Sequence, residues 1–187
     1  MKDNDLDVIT FLLRQHEEIR TLFQEMDHVS GPAREEVFQR LVRTLSVHET
    51  AEEELVHPYA RRAFAGGDKV VDARLREENA AKELLSRLDE MGTDHPEFPK
   101  LFEELRTDVL AHAEAEEREE FPKLKEETGE GKLRAMTTAV KAIEAMAPTH
   151  PHPGVESAKK NILMGPAAAI MDRTRDAIRA AMGKTGS

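Results

Sequence analysis

Apolar residues recur every three to four positions along most of this chain, in long stretches separated by Gly- and Pro-containing breaks. In the first stretch Ile9, Leu12, Leu13, Ile19 and Phe23 form a stripe that predicts a helix over about residues 6–28, with His16 in its middle. Gly31-Pro32 interrupts the pattern, and Pro32 suits the first turn of a second helix that ends near residue 64, before Gly66-Gly67. Pro58 removes a backbone bond to Glu54, so this helix is expected to kink there. A third helix is predicted over residues 70–91 through Ala81, Leu84, Leu85 and Leu88. Residues 92–96 form the loop back, with Thr93 or Asp94 as a cap, and a fourth helix follows over residues 96–126. Leu133, Met136, Val140, Ile143 and Met146 predict a fifth helix over residues 132–146. After a Pro-rich, extended linker at 147–154, a last one is predicted over 166–182. Long Ala/Glu/Leu/Arg stretches without β-branched clusters make the fold class all-α.

One stretch occurs twice. HETAEEELVHPYA from His48 and HAEAEEREEFPKL from His112, at an offset of 64 residues, share the His, Ala at +3, Glu at +4 and +5, and Pro at +10. A His and a Glu four apart lie one helical turn apart on one face, about 40° from eclipsed, which is the geometry of a two-ligand metal grip. A single pair is common on solvated helix faces of an acidic chain. Two pairs inside a longer shared pattern point to a duplicated helix hairpin whose grips, His48/Glu52 and His112/Glu116, face inward. His16 precedes Ile19, Leu22 and Phe23 by the same intervals that separate Glu78 from Ala81, Leu84 and Leu85, so Glu78 takes the register of His16. The alternatives are a core histidine satisfied by a neighbour at 16 and a helix-edge carboxylate bending to solvent at 78. On the same projection Asn79 and Lys82 point away from the stripe, His57 lies opposite His48, and Phe121 lies opposite His112. Tyr59, almost three full turns beyond His48, shares the face of the first grip unless the Pro58 kink removes it; its alternative is a bundle-core tyrosine. Glu49, Glu53 and Glu117 flank the grips as surface or supporting groups.

Composition narrows the chemistry. Among 187 residues there is no Cys, one Tyr and no Trp, so thiolate metal sites and disulfides are excluded and a metal must be held by His, carboxylate or Tyr. A net charge of −10 opposes nucleic acid and anionic membranes as partners and tolerates cations. The N-terminal MKDNDLDV carries no apolar signal region and no run approaches a membrane span, which leads to the expectation of a cytoplasmic protein. The length allows one domain, read as residues 1–128, plus an appendage over 129–187. In the appendage His150 and His152, separated by Pro151, fit a surface linker better than a metal site. The last helix mixes apolar residues with Arg and Asp, which favours packing on the bundle or on a second subunit and leaves a homodimer open.

His16 in RQHEEIRTLF, His48 and Glu52, and His112 and Glu116, in this order and with short connections, resemble the hemerythrin-like, or HHE cation-binding, family over about residues 6–126. The resemblance implies an up-down four-helix bundle, here with two additional C-terminal helices, carrying a non-haem di-iron centre that is oxo- or hydroxo-bridged. The chain departs from the family on the third helix, where REENAAKELL offers Glu78 in place of the usual His. With Glu52 and Glu116 bridging, three His, Glu78 and one oxygen bridge leave at most one or two places around two five- or six-coordinate irons; Tyr59 is a candidate for the last. Some bacterial members have catalase activity, which makes disproportionation of peroxide one expected function. Binding or sensing of oxygen, nitric oxide or iron is the alternative, and a purely structural metal the third. The small partner is a diatomic molecule or peroxide, and a set of three His and three Glu favours ferric iron and redox chemistry over reversible oxygen carriage.

Overall fold

The computed structural model describes residues 6–151, and among these all regular structure is helical. Helix α1, Val8–Met26, starts at Asp7, whose carboxylate accepts from the Thr10 N–H at 2.9 Å. Such a cap stabilises a helix by about 1 kcal/mol. Helix α2, Pro32–Ala51, has Pro32 in its first turn as expected, and runs through a π-helical turn, Glu52–Val56, into α3, His57–Ala63. Helix α4, Gly67–Met91, begins three residues earlier than the periodicity predicts. The reversal before it needs two glycines: Gly66 has φ 83°, and a Cβ on Gly67 would lie 2.5 Å from the Ala60 carbonyl oxygen. Helix α5, Phe98–Ala115, passes through a second π turn, Glu116–Glu120, into α6, Phe121–Glu127. Its N-cap is Glu97 without a side-chain cap bond, so neither Thr93 nor Asp94 plays that part; the Thr93 hydroxyl instead donates to Glu35 at 2.7 Å and ties the loop to α2.

The four long helical rods alternate in direction through short connections. Helix α1 packs on α2 and α4 packs on α5, giving the up-down bundle. Apolar residues form two clusters on either side of a polar layer. One holds Ile19, Phe23, Phe38, Leu41, Leu85, Phe98 and Phe102; the other holds Val8, Leu12, Leu55, Val56, Val71, Phe121 and Leu124. Along every rod the change from one cluster to the other falls at the predicted chemistry: at His16 on α1, His48 on α2, Glu78 on α4 and His112 on α5.

Helix α7, Glu130–Glu144, is the predicted fifth helix. Leu133, Met136, Val140 and Ile143 are buried in the second cluster against α1 and α2, while Met146 is exposed. The predicted last helix and His152 lie outside the described residues. His150 is exposed and pairs with Asp89 at 3.0 Å. Among the described residues no helix is long and apolar enough to cross a membrane.

Candidate metal centre

The polar layer gathers six buried side chains from all four rods: His16, His48, Glu52, Glu78, His112 and Glu116. Their donor atoms form two overlapping groups, each lying within 4.8 Å throughout, one of His16, His48, Glu52 and Glu116 and the other of Glu52, Glu78, His112 and Glu116. Glu52 and Glu116 belong to both. Individual approaches are close: His48 Nε2 to Glu52 Oε2 3.1 Å, His16 Nε2 to Glu116 Oε2 3.4 Å, and His112 Nε2 to the same oxygen 3.5 Å.

Each of these imidazoles is aimed by a bond on its outer nitrogen. His16 Nδ1 donates to Glu117 at 2.8 Å, His48 Nδ1 to Gln15 Oε1 at 3.0 Å, and His112 Nδ1 to Glu77 at 3.0 Å. Gln15 in turn donates to Glu144 at the end of α7, at 2.6 Å, which fixes its oxygen toward His48. A carboxylate or amide oxygen on Nδ1 holds the proton there and leaves the Nε2 lone pair directed inward. His16 Nε2, His112 Nε2, both oxygens of Glu52 and Glu116, and Glu78 Oε2 are buried without a hydrogen-bond partner. Buried polar atoms are ordinarily satisfied, and each orphan costs about 1–3 kcal/mol, more when charged. Several orphaned polar atoms, most of them carboxylate oxygens, converge on one small volume, an arrangement that fits cations.

Without cations the layer keeps protons instead. Burial, reinforced by neighbouring His16, pulls His48 down to about 3, so it stays a neutral donor. Burial opposes charge on His112 too, but Glu116, Glu77 and Glu78 outweigh it and hold it up at about 9. Burial and the charge of Glu116 push Glu52 well above the carboxylate range. Against the same burial, His112 and His16 keep Glu116 below it, so the two facing carboxylates are not both charged without added positive charge.

Four residues stand differently from their sequence projection. His57 is buried, with Nε2 2.5 Å from Glu78 and Nδ1 2.9 Å from Glu120, and these form a third donor group with Glu116. Phe121 is also turned inward, stacked on the His16 ring at 5.6 Å. Tyr59 turns the other way: its hydroxyl meets Thr128 at 3.4 Å and its ring lies under Lys132, in the second apolar cluster. The physical reason is the π turn. The N–H of His57 bonds the Glu52 carbonyl, five residues back, and Phe121 bonds Glu116 in the same way. One extra residue per turn rotates everything after it by about 100°, bringing His57 toward Glu52 and carrying Tyr59 off that face. Lys82, the fourth, is buried and reaches Glu53, with Glu49 3.9 Å away; charge partners inside the bundle outweigh its position on the helix projection.

Residues 7–124 match the family model for the hemerythrin HHE cation binding domain. The chain belongs to that family. An uncharacterized hemerythrin-like protein of Schizosaccharomyces pombe is 24% identical over 139 residues, 73% of this chain and 68% of that one. A Nostoc protein named as a DNA nickase is 24% identical over 142 residues, 75% of this chain but 40% of its own length, so the chain spans well under half of it. A hemerythrin HHE cation binding domain-containing protein from Mycobacterium kansasii shares the fold, with a TM-score of 0.66 at 19% identity over 90% of this chain and 99% of that one. The buried His and Glu groups of this HHE domain could hold metal.

Proposed function

We propose that His16, His48, Glu52, Glu78, His112 and Glu116 of this HHE domain hold two iron ions and that the centre disproportionates peroxide. The observation that carries the reading is the sharing of Glu52 and Glu116 between two four-donor groups, which suits a pair of adjacent ions bridged by two carboxylates better than a single ion. Imidazole and carboxylate without thiolate suit iron or manganese, and the family favours iron. When bound, the pair supplies two one-electron couples side by side, matching a two-electron substrate.

The size of the space beside the donors supports a small substrate. A cavity of about 10 Å³, lined by His48, Glu49, Glu78 and His112 together with Leu45, Ala81 and Val109, has room for about one water molecule. Peroxide and diatomic gases are of that scale, whereas an organic substrate is not. Two peroxide molecules become two water molecules and one dioxygen. One gains two electrons and two protons as its O–O bond breaks, and the other gives up two of each. The protons need a resting place at the cavity wall. Glu49 offers one: it is buried there, its Oε2 has no hydrogen-bond partner, and burial pushes its carboxyl up to about 8. Lys82 and Glu53 then link Glu49 toward the outside of the bundle.

Addition of peroxide to the iron-loaded protein is expected to evolve oxygen, and Glu52→Ala is expected to lose both the iron and the oxygen evolution. A preparation holding two irons per chain that evolves no oxygen above free-iron controls, yet binds nitric oxide or oxygen stably, would replace turnover by sensing or carriage.

A further inference from the structure

We infer that His57 is a fourth imidazole ligand of the centre, placed on the ion shared by Glu78, His112, Glu116 and Glu52. The inference rests on the two-ion reading above and concerns a residue that the helical spacing of the grips excludes. Three observations carry it. First, like the other three imidazoles His57 has a side-chain oxygen on Nδ1, here that of buried Glu120 at 2.9 Å, and its Nε2 points to the carboxylates within, where it bonds Glu78. Second, that Nε2 lies 2.5 Å from Glu78 Oε1 and 3.8 Å from Glu116 Oε1, both oxygens belonging to residues of the second donor group. Third, His57 and Glu120 are 1% and 0% exposed, and Glu120 keeps one oxygen without a partner, so the pair is built into the layer and is not a surface salt bridge that reached it.

The consequence changes the donor count. The third rod offers a carboxylate at 78 where its family usually has an imidazole, and His57, coming from the second rod just past its π turn, returns one imidazole to the same ion. The first ion then has His16 and His48, the second His57 and His112, and the two share Glu52 and Glu116. Glu120 is a positioning residue for His57 in the way Glu77 is for His112. Removing an outer partner of this kind typically weakens metal binding by about 10–100-fold.

The test compares iron content, Mössbauer spectrum and the X-ray absorption count of imidazole nitrogens for wild type, His57→Gln and Glu120→Gln, each checked for helicity by circular dichroism. Wild type with two irons and four imidazoles on the pair is expected. His57→Gln keeps the amide hydrogen bonds an imidazole would make for structure alone; it is expected to hold one iron tightly, with one Mössbauer doublet lost and the other retained. For a His57→Ala protein that folds, added imidazole is expected to restore the second iron. Glu120→Gln is expected to keep both doublets at saturating iron and to lose one about 10–100-fold more readily to a chelator. Two irons with only three imidazoles in wild type, or two irons with unchanged doublets in His57→Gln, would overturn the role of His57 while leaving the two-ion reading intact. A wild type that holds no iron pair would overturn both.

Discussion

At the scale of single residues, what separates a proposed ligand from a histidine that merely fills a helix face is the group behind it. His16, His48 and His112 each have an oxygen fixed on Nδ1, and the oxygens they face inside are orphaned. Tyr59 shows the opposite arrangement, since its hydroxyl already has a partner in Thr128 and its ring has Lys132 over it at 4.5 Å. We therefore expect packing from it, not ligation. Tyr59→Phe is expected to leave iron content and the visible spectrum unchanged and to reduce stability by no more than about 1 kcal/mol, because a long, half-buried hydroxyl contact is worth little. An absorption band present in iron-loaded wild type and missing in Tyr59→Phe would return the phenol to the centre.

At the scale of elements, the part of the site that could be read from the sequence stops where α-helical counting stops. His48 and Glu52, like His112 and Glu116, lie before or at the start of their π turns, so a four-residue interval describes them correctly. His57, Tyr59, Glu120 and Phe121 lie beyond or at the end of those turns, and a count of 3.6 residues per turn puts His57, Tyr59 and Phe121 on the wrong face. The signal was present in the repeat: Pro58 and Pro122 occupy the same place in both copies, and a proline has no N–H to give the residue four back, which disfavours a regular α turn there. The spacing registered a kink there but not an added residue. The four long helices and their order followed from periodicity and Gly/Pro breaks, whereas the burial of Lys82 did not, because it depends on Glu53 arriving from another rod. Deleting one of the three consecutive glutamates Glu52–Glu54 keeps a Glu four residues after His48 but removes the extra residue. The helix is then expected to run on in α register with His57 eight residues after His48, about 80° from it on the projection and so still inward, and the tyrosine still off that face, so iron should stay at two per chain with helicity unchanged. Iron falling to one per chain in this deletion, with helicity unchanged, would show that the site needs the π turn itself and not only the face it restores.

At the scale of the whole molecule, two apolar clusters hold the rods together and the layer between them opposes that cohesion wherever its charge is uncompensated. Buried carboxylates cost several kcal/mol each when their charge is uncompensated, and in the iron-free protein protons are the available compensation. His112 is held at about 9 against an ordinary 6.5, so its pairing stabilises the fold fully below about 6.5 and is lost as pH rises through about 9. Glu49, raised to about 8 from 4.5, acts in the same direction, since the folded chain keeps a proton that the unfolded chain has released. His48, lowered to about 3, is neutral in both states above pH 7 and does not offset them. One excess proton on the folded state changes stability by about 1.4 kcal/mol per pH unit, so iron-free protein is expected to lose about 1–2 kcal/mol between pH 7 and pH 8. Iron competes with those same protons, and its binding should tighten over this interval, so the loaded protein should lose less. Urea midpoints of both forms at the two pH values measure the difference. An iron-free midpoint that stays level or rises with pH would mean that the layer is not held together by protons, and that the inward carboxylates find their compensation elsewhere in the bundle.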